Sequence, residues 1–387
     1  MIVHFVVDEK IIDQLIDNYL QVSDNNLFLV FGNDDRTKFK YITRDGYFIK
    51  RFNCSREDIN DVLDIIKPQA IIVHSLCFEF AHAINKLNVK VKIAWIVWGY
   101  DIYMLPKIAP LLYGNKTREF LKKDYPILFL EWQLKKVDFL RKILYNVFKM
   151  RKDPVSIQLS AMRKIDFFCS YIKEDFEFFH KFYEFKNLNF VEVAFSTIDQ
   201  YLAGNNNLRI TESANNILVG NSNTIESNYL DVIDIISNYK YAMSEVYFIL
   251  SYSKNEAYKE QVIEHGNLFL ENHFCPLLNF MDRAKYIQLL QTCSVGIFYH
   301  YRQQAMGNII AMLYMGARLY LSEKNPAYHY LIRKGIVVNS LDRDFERNML
   351  TRLNAVEIEN NRNKLDLIFG TENVLADLLE LNKMLLD

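Results

Sequence analysis

The sequence predicts an α/β protein built from two Rossmann-like domains. Short runs rich in β-branched and apolar residues alternate with stretches in which apolar residues recur every three or four positions. This alternation fills two stretches of similar size, which a polar segment near residue 205 separates. A chain of 387 residues is also longer than one ordinary core requires. Together these observations favour two parallel sheets with crossover helices.

The first half begins with a β-branched run at residues 2–7, and a helical pattern over 11–20 follows it. Further strand candidates in this half are residues 27–31, 70–73, 92–98, 166–170 and 190–193. Helical patterns over 76–87 and 173–183 lie between them, as βαβ units require.

The second half begins after residues 202–207, which are polar and rich in turn-forming residues. Its strand candidates are residues 217–219, 246–251, 276–278, 295–298, 319–321 and 336–338, with helical patterns between them. We therefore predict an N-terminal domain over 1–205, with an insertion over about 104–160, and a C-terminal domain over 206–387.

The composition excludes some classes of protein. With 46 Lys and Arg against 47 Asp and Glu, a net charge of −1 excludes a generally basic nucleic-acid binder. The five cysteines show no metal-ligand spacing, which favours a reducing cytoplasm. No secretory leader and no run of 18 apolar residues is visible, so any membrane role is expected to be peripheral.

The most informative stretch follows the predicted strand at 295–298 and leads into a predicted helix at 305–315. Its polar residues and its glycine are His300, Arg302, Gln303, Gln304, Gly307 and Asn308. Helix N-termini offer unpaired N–H groups and a positive dipole to an anion, and an arginine adds a forked charge for phosphate or carboxylate. The alternative is a capped helix with a surface arginine.

A second candidate loop contains Gly220, Asn221 and Ser222 and follows the first strand of the second half. Glycine permits a tight turn, and the polar side chains would bind a diphosphate or simply cap a helix. Neither GxGxxG nor a Walker sequence occurs, which disfavours NAD and P-loop chemistry.

These segments resemble glycosyltransferase family 56. The matching pieces are residues 98–103, residues 217–222, Phe280-Met281 with Tyr286 and Leu289, the RQQxxGN block at 302–308, and Asn325-Pro326 with Tyr328. The match covers most of residues 70–340 in the same order. Residues 1–60 match the family only loosely, and residues 104–160 are particular to this sequence.

The resemblance implies a GT-B fold, in which two Rossmann-like domains face each other across a cleft. It also implies a hexosyltransferase that moves 4-acetamido-4,6-dideoxygalactose, or a related deoxyamino sugar, from a dTDP-sugar to a polyprenyl-diphosphate-linked oligosaccharide. Such a reaction builds bacterial surface polysaccharide, such as enterobacterial common antigen, at the cytoplasmic face of the inner membrane. The two loops above, with Phe280, would then bind the donor nucleotide, and no cofactor is expected.

Two residues at predicted strand ends of the first half are candidates for catalysis. Asp101 follows the strand at 92–98, and its carboxylate would take the proton of the acceptor hydroxyl if the reaction inverts the anomeric centre. The alternative for Asp101 is a helix cap or a hinge. His74 ends the strand at 70–73 and competes for the same role, although isolated histidines are more often structural.

Glu323 follows the strand at 319–321 and would accept hydrogen bonds from sugar or ribose hydroxyls, or else it belongs to a surface turn. The one DxD spacing, at 342–344, lies in a charged stretch, and we interpret it as chance and expect no metal. The charge of the leaving group would be stabilised by Arg302 and the helix start instead.

Residues 114–153 contain 11 Lys and Arg against 5 Asp and Glu, a balance of +6, interleaved with aromatic and aliphatic residues. Such an element would lie on an anionic membrane surface, or it forms ordinary amphipathic helices packed on the first domain. No nucleic-acid-binding motif accompanies the charge, so nucleic acid is not an expected partner.

Two other functions fit the same architecture. A sugar-nucleotide epimerase would bind the donor without an acceptor, and a non-catalytic protein would bind a nucleotide sugar or a membrane. The sequence leaves the donor sugar, the nucleotide, the acceptor, the stereochemistry and the oligomeric state open.

Overall fold

The computed structural model describes residues 1–33, 38–148, 152–251, 255–345 and 350–387. Lys149 and Arg151 of the basic segment lie outside the described residues. The chain forms two compact units. The first consists of Met1–Ile108, Leu134–Gln200 and Ile368–Asp387, and the second consists of Ala109–Gln133 and Tyr201–Leu367.

The first unit contains a parallel sheet with the strand order β3-β2-β1-β4-β5-β6-β7. Its strands are β1 (Ile2–Val7), β2 (Asn26–Gly32), β3 (Ile49–Asn53), β4 (Ala70–His74), β5 (Lys92–Ile96), β6 (Phe167–Cys169) and β7 (Asn189–Val191). The helices up to this point in the chain are α1 (Ile12–Val22), α2 (Ile59–Ile66), α3 (Phe78–Lys86), α4 (Tyr100–Tyr103), α5 (Asn115–Asp124), α6 (Pro126–Lys136), α7 (Asp138–Ile143), α8 (Pro154–Met162) and α9 (Lys173–His180).

The second unit contains a parallel sheet with the order β10-β9-β8-β11-β12-β13. Its strands are β8 (Asn216–Val219), β9 (Val246–Ile249), β10 (Phe274–Leu277), β11 (Cys293–Phe298), β12 (Arg318–Leu321) and β13 (Asn339–Ser340). The remaining α-helices of the described residues are α10 (Ile198–Tyr201), α11 (Tyr229–Ile236), α12 (Glu256–Leu270), α13 (Arg283–Thr292), α14 (Met306–Met315), α15 (Pro326–Arg333), α16 (Ala355–Phe369) and α17 (Thr371–Leu386).

The apolar runs form central strands that are covered on both faces. Every residue of β4 and of β11 is buried, as expected for parallel strands without a solvent face. The helix α1 buries Ile12, Leu15, Ile16 and Tyr19, which recur at helical spacing. Both strand orders switch direction beside the first strand of the unit, as in Rossmann-like domains, and the predicted pair of such domains is confirmed.

Two strands differ from the prediction. The edge strand β3 was not predicted, because its sequence, IKRFN, is mostly polar. The last strand of the second sheet lies at Asn339–Ser340 and not at 336–338. The N–H of Ile336 donates to Leu331 O at the end of α15, and the N–H of Val337 donates to Asn361 Oδ1, so neither pairs with β12.

Two segments group differently from the predicted domains. Residues 109–133, predicted as part of an N-terminal insertion, belong to the second unit because α11 holds them: Asp231 accepts hydrogen bonds from the N–H groups of Lys116 and Thr117. The C-terminal helix α17 belongs to the first unit, where Lys92 Nζ donates to Met384 O at 2.9 Å. In the described part of the chain, no helix is both long and apolar enough to cross a bilayer.

Candidate functional site

The loop after β8 is shaped by Gly220, whose φ of +65° lies in the left-handed region. A Cβ at this position would lie 2.4 Å from the hydroxyl oxygen of Tyr229, which itself donates to Ile249 O. A glycine is therefore required here by the fold itself, because any side chain would be both strained and in collision. The tight turn directs the next residues across the carboxyl end of the sheet.

Gln304 joins this loop to the loop that follows β11. Its side-chain nitrogen lies 2.9 Å from Asn221 Oδ1, 3.1 Å from Thr224 Oγ1 and 3.3 Å from Ser222 Oγ. The structure thus brings together Asn221, Ser222 and Gln304, three of the predicted donor-binding residues. The two hydrogens of this amide nitrogen are thus used to hold the two loops together. The buried Gln304 Oε1, in contrast, has no partner among the described residues.

His300 lies two residues beyond β11 and is completely buried, yet neither of its ring nitrogens has a hydrogen-bond partner in the part of the chain that the structure describes. Burial, with a smaller contribution from the charge of Arg302, lowers its pKa to about 3. The ring is therefore neutral at pH 7, with one donor and one acceptor nitrogen. Unpaired buried polar atoms of this kind indicate a missing partner.

Arg302 and Gln303 contribute further unpaired atoms at the same loop. The Nε of Arg302 and the Oε1 of Gln303 are buried without a hydrogen-bond partner, and Arg302 makes no ion pair with any described residue. A guanidinium that has neither a carboxylate nor a hydrogen-bond partner among the described residues is suited to an anionic ligand.

The helix α14 begins directly after these residues. Ala305 precedes it with a φ of +63°, and no side chain caps the helix, so the N–H groups of its first turn remain available. Gly307, its second residue, has ample room: an added Cβ would only reach ordinary contact with Tyr201 at 3.7 Å. The side chain of Asn308 donates to the hydroxyl of Tyr286 at 2.8 Å, which anchors α14 to α13.

Glu323 follows β12, as predicted, and forms an ion pair with Arg343. Its backbone N–H lies 3.4 Å from Asp342 Oδ2, while Asp342 Oδ1 accepts a hydrogen bond from Tyr299. Asp344 likewise accepts from the backbone of Ser340. Both acids of the DxD spacing therefore hold loops in place.

Phe280 lies in the loop between β10 and α13, with 61% of its side chain exposed. The strand β10 is the edge of the sheet, and β9 separates it from β8. Its role in donor binding stays a prediction.

Some residues beside the site were missed by sequence reasoning. Asn228 donates to the carbonyl oxygens of Leu112 and Tyr299, and thereby ties the segment 109–133 to the loop after β11. Tyr113, in this segment, donates to Glu226 at 3.0 Å and lies near enough to Arg302 for the positive charge to act on its hydroxyl. The local signal was a pair of acidic residues, Asp231 and Asp234, within the apolar helical run at 229–236, and of the two Asp231 is the buried one.

In the first unit, Asp101 lies in the first turn of α4 and is 1% exposed. Its Oδ2 accepts from the indole of Trp95 at 2.7 Å and from the N–H of Leu76 at 3.1 Å. Burial raises its pKa to about 6, although these donors oppose the shift. Asp101 thus links the ends of β4 and β5, and its role as a base stays a prediction.

His74 ends β4 and is completely buried, with its Nε2 3.0 Å from Nδ1 of His4. Asp175, which sequence reasoning missed, lies in the first turn of α9 and accepts from the hydroxyl of Tyr103. Burial raises its pKa to about 8. Three titratable groups therefore lie at the carboxyl ends of the neighbouring strands β4, β5 and β6.

Comparison with known proteins identifies the family of the chain. The sequence model of the family described as "4-alpha-L-fucosyltransferase glycosyl transferase group 56" matches residues 158–370, more than half of the chain. The chain belongs to this family. The matched region contains β8, β11, the start of α14 and the loops that carry the unpaired polar groups.

Several solved structures resemble the chain over nearly its full length. A glycosyltransferase from Rickettsia africae is 13% identical, with a TM-score of 0.58 over 100% of this chain and 98% of that one. An E. coli trehalose-6-phosphate structure bound with UDP-2-fluoro glucose is 14% identical, with a TM-score of 0.62 over 99% and 98%. The sucrose-phosphate synthase of Thermosynechococcus elongatus is 8% identical, with a TM-score of 0.60 over 99% and 98%.

The solved structures confirm the GT-B fold, and membership of group 56 shows that the chain is a glycosyltransferase, specifically a hexosyltransferase. They decide against the epimerase and the non-catalytic protein as readings of the two-domain architecture. Among the described residues, no group of three or more His, Cys, Asp or Glu side chains is arranged to hold a metal ion. Metal independence stays a prediction.

Proposed function

We propose that this glycosyltransferase moves 4-acetamido-4,6-dideoxygalactose, or a related deoxyamino sugar, from a dTDP-sugar to a polyprenyl-diphosphate-linked oligosaccharide in the synthesis of a bacterial surface polysaccharide such as enterobacterial common antigen. The second unit would bind the donor, and the loops after β8 and β11 would hold its diphosphate. The family description, which concerns transfer of fucose, a 6-deoxygalactose, supports a deoxysugar donor.

The observation that carries the proposal is the start of α14. Here an uncapped helix N-terminus lies next in the chain to Arg302 and His300, neither of which has an ion-pair or hydrogen-bond partner among the described residues, at the carboxyl end of a parallel sheet. A diphosphate would receive hydrogen bonds from the N–H groups and the guanidinium, and this would stabilise the charge that develops on the leaving group. Neutral His300 would bind an uncharged polar atom of the donor.

Asp101 is our proposed base for the acceptor hydroxyl. A pKa of about 6 leaves the carboxylate mostly ionised at pH 7, while it remains basic enough to take up a proton. Because the group is 1% exposed, acceptor binding has to open a path to it.

We further propose that the basic segment binds an anionic membrane surface. On α6 none of the described side chains is buried, and Ile127 and Leu130 are 74% and 60% exposed. Phe139 on α7 is 70% exposed. Large apolar side chains among lysines suit the interface of an anionic bilayer, which also carries a polyprenyl-linked acceptor.

One residue of this segment has another role. Arg141 is 2% exposed and pairs with Asp153 at 2.8 Å and Asp138 at 2.7 Å. Because removing one partner of a buried ion pair is strongly destabilising, Arg141 stabilises the protein and does not contribute to a membrane-binding surface.

Nucleotide binding tests the donor assignment. Thermal unfolding is recorded with dTDP, UDP or GDP, because a ligand of the native state raises its melting temperature. We expect dTDP to raise it most, and transfer from the matching dTDP-sugar to a polyprenyl-diphosphate-linked saccharide to follow. A larger shift with UDP or GDP would reject the dTDP donor, and no shift with any nucleotide would reject the α14 site.

Sedimentation with vesicles tests the membrane assignment. Replacing Lys135, Lys136 and Lys142 by Glu should abolish binding to vesicles that contain anionic lipid at low salt, because each basic residue near the surface contributes about 1 kcal/mol. The control carries the same charge change at Lys86, Lys90 and Lys186, outside the segment. Equal binding by the two triple variants would reject the proposed surface.

A further inference from the structure

Three buried polar side chains form a hydrogen-bonded chain through the core of the first unit. Asn26 begins β2, His4 lies within β1, and His74 ends β4. The Nε2 of His4 lies 3.0 Å from Asn26 Oδ1, and its Nδ1 lies 3.0 Å from His74 Nε2. Each of the three residues is at most 2% exposed. Burying polar groups in an apolar core costs free energy, so such a chain needs a reason.

The direction of these hydrogen bonds is fixed at the asparagine. The side-chain nitrogen of Asn26 donates to Tyr19 O at 3.1 Å and to Ser23 O at 2.7 Å. Since carbonyl oxygens only accept, the amide of Asn26 can present only its oxygen to His4. The Nε2 of His4 must therefore carry a hydrogen.

This order determines the tautomer of both histidines. Burial lowers the pKa of His4 to about 4, so at pH 7 the ring is neutral and its Nδ1 carries only a lone pair. That lone pair accepts a hydrogen from Nε2 of His74. Burial also lowers the pKa of His74 well below its usual value, so the Nδ1 of His74 is left as an acceptor.

The acceptor nitrogen of His74 is unused within the part of the protein that the structure describes. It is buried, and no described residue donates to it. The backbone at the next residue, Ser75, has a φ of +73°, a conformation that is costly for a residue other than glycine and that clusters at functional sites. One residue further, Leu76 donates its N–H to Asp101. A fixed lone pair and a strained turn thus lie at the end of β4, and the N–H group that follows them donates to the proposed base, which lies beyond β5.

We propose that Nδ1 of His74 accepts a hydrogen bond from a hydroxyl group of the acceptor saccharide, and that His4 and Asn26 are positioning residues that hold His74 in the required tautomer. This inference rests on the proposed function, in which the first unit meets the acceptor. His74 orients the hydroxyl and keeps its own protonation state, whereas Asp101 remains the candidate that takes the proton.

The tautomer can be measured directly in the full-length protein. With ¹⁵N-labelled histidine at pH 7.5, ring-nitrogen chemical shifts distinguish a protonated nitrogen from a bare one, and a His74→Gln variant assigns the signals. We expect a protonated Nε2 and a bare Nδ1 for His74. Titration with a short-chain polyprenyl-diphosphate-linked disaccharide should then move the Nδ1 signal. A protonated Nδ1, or an Nδ1 signal that the disaccharide leaves in place, overturns the inference.

Two variants of His4 separate positioning from packing. In His4→Asn, the side-chain oxygen can replace Nδ1 as the acceptor for His74, whereas His4→Leu offers no acceptor. We expect His4→Asn to retain at least tenfold more transfer activity than His4→Leu, with dTDP binding as the check that both variants fold. Equal activity in the two variants contradicts the positioning role. If the wild-type enzyme transfers no sugar from any donor, the proposed function fails, while the tautomer measurement still stands by itself.

Discussion

Gly307 offers a test in which stability and donor binding are expected to change in opposite directions. Its backbone lies outside the left-handed region, and a Cβ built on it meets nothing nearer than Tyr201 at 3.7 Å. Nothing within the described protein therefore requires a glycine at this position. If a diphosphate lies on the first turn of α14, the ligand supplies the requirement instead.

The magnitude follows from these distances. Without strain or collision, Gly307→Ala should stabilise the helix by up to about 1 kcal/mol, because alanine has the higher helix propensity. For a unit of this size, that corresponds to a melting temperature raised by roughly 2–4 °C at most. A methyl group against the bound diphosphate should weaken donor binding at least tenfold, or about 1.4 kcal/mol.

The assay combines thermal unfolding with titration of dTDP and of the dTDP-sugar. The matched control is Gly32→Ala at the end of β2, where a Cβ has nothing within 4 Å and the backbone is again outside the left-handed region. We expect neither variant to lower its melting temperature, Gly307→Ala to raise it by roughly 2–4 °C at most, and only Gly307→Ala to lose donor affinity. Unchanged donor affinity in Gly307→Ala would refute a diphosphate at the start of α14. A lowered melting temperature would refute the claim that a side chain at position 307 meets neither strain nor collision within the described protein.

Three other substitutions test the site and its supports. Arg302→Ala should reduce donor turnover more than tenfold with an unchanged melting temperature, since no ion pair with a described residue is lost. Arg302→Lys should restore only part of the lost turnover. Full turnover in the alanine variant would remove Arg302 from the site. Gly220→Ala should lower the melting temperature, because a φ of +65° and the contact with Tyr229 cost roughly 1–3 kcal/mol, and a stable variant would contradict this geometry. Asp175 has a pKa of about 8 in the folded protein, above its unfolded value, so its stabilising contribution is fully present below about pH 4 and is lost as the pH rises towards 8. The free energy of unfolding of Asp175→Asn, measured with denaturant, should therefore rise relative to that of the wild type by a few kcal/mol between pH 5 and pH 8. If the two free energies change in parallel with pH, the carboxyl of Asp175 is already ionised in the folded protein.

The sequence predicted the two sheets because their signal is local. Central strands such as β4 and β11 are apolar at every position, and their lengths and flanking helical patterns distinguish them from helices. The polar edge strand β3 lacks that signal. The short β13 lies two residues beyond an apolar run whose N–H groups are bonded elsewhere, which no local pattern shows.

The candidate donor site was also predictable in part, because its residues are close in sequence. Arg302, Gln304 and Gly307 stand between a strand and a helix, where the chain direction alone puts them at the carboxyl end of the sheet. Their partners were not predictable. The contact of Gln304 with Asn221 joins positions 83 residues apart, and the periodicity that identifies a strand carries no information about which loops meet.

The sequence by itself determined the alternation of strands and helices, the family and the block of polar residues at the start of α14. Only the tertiary structure decided which polar side chains have partners. Arg141 forms a buried ion pair, whereas His300 and Nδ1 of His74 have no partner among the described residues. The physical reason is that a residue's type fixes which hydrogen bonds it can make, while burial and the positions of distant side chains fix which of them it does make.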